Sequence, residues 1–90
     1  MIHNLKIKTQ FYKDYINNLK TFEIRKEEGR TFSIGDILIL NEIDENENFT
    51  GNVLEKKVIY ISRYFQNHVV MGVKWIGKIK PRLLSKQNLR

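Results

Sequence analysis

Asp36-Ile37-Leu38-Ile39-Leu40-Asn41-Glu42-Ile43 is the stretch that decides the fold. Side chains of an extended chain alternate, so Ile37, Ile39 and Ile43 share one face and Leu38 and Leu40 the other. A strand that is apolar on both faces lies centrally in a sheet or inside a closed barrel. Upstream, Phe32-Ser33-Ile34-Gly35-Asp36 is a turn feeding this strand, and Glu27-Glu28-Gly29-Arg30 is another. Before them, Lys20-Thr21-Phe22-Glu23-Ile24-Arg25-Lys26 is a further strand, with Phe22 and Ile24 on one face and Thr21, Glu23 and Arg25 on the other.

At the N-terminal end, Leu5 and Ile7 alternate with Lys6 and Lys8 as a short strand with one wet face. Thr9 reads as a helix N-cap. Phe11, Tyr12, Tyr15, Ile16 and Leu19 then form one helical stripe, which ends at Asn17-Asn18 with Asn18 suited to a left-handed cap. Downstream, Asp44 to Asn48 is a polar loop and Thr50-Gly51 turns the chain back. Val53 to Tyr64 and His68 to Ile76 complete a strand-rich second half. The expected fold is mainly β (α+β): a small pseudo-barrel of five to six strands, with one N-terminal helix plugging one end.

Composition excludes several classes. The chain has 90 residues, room for one core, and its 41% hydrophobic and 29% charged content is that of a globular protein. With no Cys, disulfides, thiolate zinc sites and cysteine nucleophiles are excluded, and two His cannot build a histidine cage. No apolar run is long enough for a membrane span, and the N-terminal residues lack the apolar core of a signal peptide, so a cytoplasmic location is expected.

Charge is segregated. Residues 1–55 hold seven bases and all ten acids, whereas residues 56–90 hold nine bases and no acid. A basic C-terminal part on a small domain is an electrostatic footprint for polyanions, nucleic acid first among them. From Gly77 onward the pattern changes and Pro81 breaks any strand, so residues 77–90 read as a basic tail or short appended element beside a domain over 1–76.

Several residues in order resemble a known pattern: His3-x-Leu5-Lys6-Ile7, a Phe/Tyr-bearing helix, Lys20-x-Phe22-Glu23-x-Arg25-Lys26, Arg30-x-Phe32-x-x-Gly35-Asp36-x-Leu38-x-Leu40-x-Glu42, Phe49-Thr50-Gly51 and Val58-x-Tyr60-Ile61. Over about residues 3–76 the chain resembles a small bacterial and phage family of unknown function, similar to ASCH domains of the PUA-like superfamily. Members carry Gly where Asn18 stands and a tighter turn where Glu27-Glu28-Gly29-Arg30 stands. Both departures are conformationally mild. The resemblance implies a PUA-like pseudo-barrel and a cleft beside the helix, used in relatives for RNA or a nucleobase-like ligand.

In that cleft the candidate residues are Lys20, Thr21, Glu23 and Arg25. The bases would bind phosphate, while Glu23 would accept hydrogen bonds from a base edge. A structural Glu23–Arg25 pair closing the barrel mouth is the plainer reading. Lys6, Lys8, Lys26 and Arg30 extend the cleft as phosphate contacts, or guard an edge strand. Arg63, Lys74, Lys78 and Lys80 add sequence-independent phosphate attraction. Glu42 requires a partner, with Arg25 or Lys20 as candidates. Tyr60, Tyr64, Phe65 and Trp75 lie among bases, Tyr64 and Phe65 being the better surface rings for stacking nucleotides and Trp75 a core ring.

Some ASCH-like hydrolases deacylate a modified cytidine with a Lys, a Thr and a late-strand Glu. Lys20, Thr21 and Glu23 would be the matching types here, but no carboxylate follows Glu55. Asp44-x-Asn46-x-Asn48 with Glu55 imitates a calcium loop, yet Phe49 stands where that loop needs Gly, so it reads as a hairpin loop and no metal or other cofactor is expected. His3 reads as a hydrogen bond fixing the first strand. The expected function is a non-catalytic module binding RNA, single-stranded or structured, or a nucleotide. The alternatives are a small amidohydrolase on a modified nucleoside and a phage or bacterial protein-interaction module.

Overall fold

The computed structural model describes residues 1–63 and 66–76. Five strands and one helix follow in the order β1 (Ile2–Lys8), α1 (Thr9–Ile16), β2 (Phe22–Lys26), β3 (Ile37–Ile43), β4 (Phe49–Ser62) and β5 (His68–Trp75). They form one sheet in the order β1-β3-β4-β5-β2, mainly β as expected, curled into a half-barrel. The β1–β3 pairing is parallel, Ile2 opposite Ile37 through Lys8 opposite Ile43. The β3–β4, β4–β5 and β2–β5 pairings are antiparallel.

The two-faced strand is β3, paired on both sides as its composition requires. Leu38 and Leu40 are fully buried on its concave face, where they meet Ile7, Leu54, Val58, Val69, Met71 and Val73 from the other strands. Helix α1 adds Tyr12, Tyr15 and Ile16 to the same cluster, and the loop before β3 adds Phe32. An eight-residue helix is not stable alone, so this docking holds it.

Several local expectations hold. Asn18 takes φ 59° and closes the helix, with its N–H donating to the Tyr15 carbonyl at 3.0 Å. His3 Nε2 lies 2.8 Å from Asp36 Oδ2, and the His3 ring packs 4.4 Å from that of Phe32. A carboxylate only accepts, so Nε2 carries the proton. This bond ties β1 to the entrance of β3.

Others are corrected. Lys8, not Thr9, occupies the N-cap position, and the Thr9 hydroxyl donates to the Ile43 carbonyl at 3.2 Å. Within the helical stripe, Phe11 and Leu19 are exposed. The hairpin turns at Asp44–Asn48 rather than at Thr50-Gly51, because Asp44 Oδ1 accepts the N–H groups of Asn46 and Asn48, both at 2.9 Å. Thr50 and Gly51 already belong to β4. Glu42 does not pair with Arg25 or Lys20. Its Oε1 accepts from Thr50 Oγ1 at 2.7 Å and Asn52 Nδ2 at 2.9 Å across the hairpin.

The barrel is not closed by a ladder. Strands β1 and β2 are the two sheet edges, and the gap between them is spanned by a side chain, Arg25 Nη2 donating to the Lys6 carbonyl at 2.8 Å. Trp75 is half-buried against the core, its indole N–H donating to Asn18 Oδ1 at 3.2 Å. The expected tail at 77–90, with Lys78 and Lys80, and the rings of Tyr64 and Phe65 lie outside the described residues.

Candidate functional site

The open seam between β1 and β2 is the candidate site. It forms a cleft of about 450 Å³ lined by Lys6, Ile7 and Lys8 of β1, Phe11 of α1, Lys20, and Phe22 through Arg25 of β2. Four bases and one acid line it, with apolar and aromatic surface between them.

Local sequence explains why this polar set faces inward. Strand β2 runs at the sheet edge, and its concave face carries Glu23 and Arg25 while Phe22 and Ile24 face outward and are exposed. Glu23 is 4% exposed, and a carboxylate there needs compensation. Arg25 Nε donates to Oε2 at 2.8 Å, and Lys20 Nζ lies 3.8 Å from Oε1. The Tyr15 hydroxyl has one hydrogen and two acceptors within reach, Glu23 Oε1 at 2.8 Å and the Phe22 carbonyl at 2.9 Å. Burial and the neighbouring Glu23 carboxylate push the Tyr15 phenol far above its ordinary range, so it stays a neutral donor.

Lys20 sits over aromatic surface as well. Its ammonium lies 4.3 Å from the Phe22 ring centroid, 5.2 Å from Phe11 and 5.6 Å from Tyr15. This cation–π packing sets Lys20 at the mouth of the cleft beside Glu23. Lys6 and Lys8 are exposed on β1 across from it. The arrangement presents cations for an anion, ring faces for a planar group, and one fixed carboxylate able to accept hydrogen bonds.

Of the sequence candidates, Lys6, Lys8, Lys20, Glu23 and Arg25 come together here. Thr21 is exposed and outside the lining, its carbonyl accepting from the Val73 N–H at 2.9 Å. Lys26 is exposed opposite His68 on the far side of β2. Arg30 lies exposed in the loop between β2 and β3. Arg63 is held by structure, its Nε and Nη2 donating to Glu27 at 2.8 and 3.1 Å and Nη2 also to the Phe32 carbonyl at 2.8 Å. The Arg63 bond, with the Phe32 N–H, holds Glu27 below the usual carboxylate range. Lys74 is exposed on β5. Sequence reading missed Phe11, Phe22 and Tyr15 as parts of the site. Their signal was the aromatic density around Lys20, where Phe11 and Tyr15 read only as a helical stripe and Phe22 only as one face of a strand.

A second hollow, about 370 Å³, is lined by Lys8, Thr9, Gln10, Ile43, Asp44, Glu45 and Glu47, and its three acids suit no anion. Among the described residues, no three His, Asp or Glu side chains are placed to hold a metal ion. No described helix is long and apolar enough to cross a membrane.

The strand pattern and cleft define a small, mainly β domain with a basic, aromatic-lined seam. The chain belongs to the family described as "Domain of unknown function (DUF3850)", whose model matches residues 2–73. None of the curated proteins matches it.

Proposed function

We propose that this protein is a PUA/ASCH-like, non-catalytic RNA-binding module that takes an RNA nucleotide into the β1–β2 cleft. The observation that carries this is the cleft's composition: Lys6, Lys8, Lys20 and Arg25 around the exposed rings of Phe11 and Phe22, over the buried Glu23 carboxylate. Phosphate goes to the lysines, the base stacks on a ring, and Glu23 accepts from a base-edge N–H. The excess of bases after residue 55 adds long-range attraction for the polyanion.

The amidohydrolase alternative needs a Lys, a Thr and a second acid–base group within reach of one scissile bond. Lys20 and Glu23 share the cleft, but Thr21 is outside its lining. Glu42 is engaged by Thr50 and Asn52, and Glu55 faces outward on β4. Glu23 Oε1 and Oε2 each accept one hydrogen bond, from Tyr15 and Arg25, and each keeps acceptor capacity for a ligand N–H. A binding role therefore has the better support.

Fluorescence anisotropy against labelled single-stranded RNA, duplex RNA and DNA at several salt concentrations tests the reading. Micromolar or tighter binding that prefers RNA and weakens severalfold in a Lys20→Gln variant is expected. Binding that ignores polymer type and disappears at modest salt would reduce the chain to a non-specific polycation.

A further inference from the structure

The convex face of β2, β5 and β4 extends beyond the cleft and shares Phe22 and Ile24 with it. Phe22 of β2 and Tyr60 of β4 stand opposite the same residue of β5, Gly72. The row across the three strands is therefore ring, glycine, ring. Phe22 is 43% exposed and Tyr60 62% exposed. Neighbouring strands lie about 4.8 Å apart, so the two ring-bearing positions are separated by roughly 10 Å across Gly72. A bulge between Val58 and Tyr60 creates this alignment, because it puts Ile59 and Tyr60 together on the exposed side. Tyr60 Cβ stands 3.1 Å from where a β-carbon on Gly72 would be, so a larger residue there would force Tyr60 aside. The exposed side chains of Ile24 and Ile59 complete the apolar surface.

Bases surround it. Lys57 and Lys74 are directly opposite each other on β4 and β5, both exposed. Lys26 is opposite His68 on the other flank. Like charges facing each other across strands destabilise a sheet. No ion pair among the described residues relieves Lys57, Lys74 or Lys26. The unrelieved charge fits an external polyanion. It does not fit a second copy of this face, which would set lysine against lysine. It also does not fit residues 77–90, which carry five bases and no acid.

We infer that this convex face is a stacking platform for unpaired nucleotides of RNA, with Phe22 and Tyr60 taking bases on either side of Gly72 and Lys57, Lys74 and Lys26 contacting phosphates. Ring faces accept any base, and the flanking lysines follow the backbone, so the platform favours single strands over duplex. Phe22 stands where the cleft meets this face, which gives one strand a continuous path from β2's outer side to the seam. The inference rests on the RNA reading above for the polymer's identity, and on residues other than the cleft's for the surface, Phe22 and Ile24 apart.

The test compares binding of a labelled ten-nucleotide uridine-rich single strand and an RNA duplex to wild type, to Tyr60→Ala, to Lys57→Gln/Lys74→Gln, and to the cleft variant Lys6→Gln/Lys8→Gln. Thermal melts accompany each to confirm folding. Tyr60→Ala is expected to weaken single-strand binding about 5- to 100-fold, with little change for duplex. A Tyr60→Phe variant keeps the ring and should retain affinity. Loss of affinity only in the cleft variant would overturn the platform and leave the cleft standing. Absence of RNA binding in wild type would overturn both, and retention of an acidic protein on the same face would then identify the occupant as protein.

Discussion

Arg25 on β2 reaches across the open seam to the main-chain carbonyl of Lys6 on β1, a 2.8 Å bond made while its Nε holds the buried Glu23 carboxylate. One guanidinium therefore both neutralises the floor of the cleft and sets its width. Lysine cannot do this, because an ammonium lacks the planar fork.

Replacing Arg25 tests that double role. Arg25→Met strands Glu23 with weaker partners and frees the β1 edge, and should cost about 1–3 kcal/mol in urea denaturation. Arg25→Lys should recover only part of the loss. Full recovery by Lys would mean that charge alone matters.

Tyr15→Phe removes the only hydrogen of a phenol that serves Glu23 and the Phe22 carbonyl. A loss of about 1–2 kcal/mol is expected, mostly through the hydrogen bond lost from the buried Glu23 carboxylate, which keeps Arg25 and Lys20. In a double-mutant cycle with Glu23→Gln the two losses should be non-additive. Strict additivity would show that the hydroxyl acts elsewhere.

Stability should fall at both ends of the pH scale. Burial pushes Asp36 up, but hydrogen bonds from His3, the Ser33 N–H and the Met1 amino group outweigh it and hold it below the usual range. For Glu42, burial is likewise outweighed by Thr50, Asn52 and Thr9. A lowered folded value means stability present above the unfolded value, near 4, and lost as pH falls through the folded one. Tyr12 is pushed up to about 12 by burial and by Glu42. Its contribution is complete below the unfolded value near 10 and is lost between there and about 12. Melting temperature against pH should show both limbs, and Asp36→Asn should flatten the acid one.

Glu47 holds φ 63° in the β3–β4 turn with its side chain exposed. Glu47→Gly should stabilise by about 0.5–1 kcal/mol, since glycine adopts that conformation without a β-carbon penalty. A lower melting temperature would mean that the Glu47 side chain contributes contacts of its own.

Much of the architecture was legible because local chemistry and tertiary context agree. The two-faced pattern of Ile37 to Ile43 identifies a strand paired on both sides, Asn18 marks the helix end, and His3 marks a hydrogen bond that fixes the first strand. Where they disagree, sequence misled. Alternation shows that Phe22 and Ile24 share a face, but not which face is inward, and the usual rule of apolar inside fails on β2 because the inward side there is the cleft. The Glu42 partners were missed because the turn was placed at Thr50-Gly51. With the turn at Asp44–Asn48, Thr50 and Asn52 come back beside Glu42. The open seam was hidden because pairing between distant edges leaves no trace in alternation, and Arg25 substitutes for a ladder there.

The most direct test of the central claim is an amide-resolved NMR titration of the isotope-labelled protein with a short single-stranded oligoribonucleotide. Binding in the cleft predicts saturable shifts concentrated at Lys6 to Lys8, Lys20 and Phe22 to Arg25, on both sides of the seam. Saturable shifts that leave those amides unmoved, or no shifts at millimolar RNA and low salt, would contradict it.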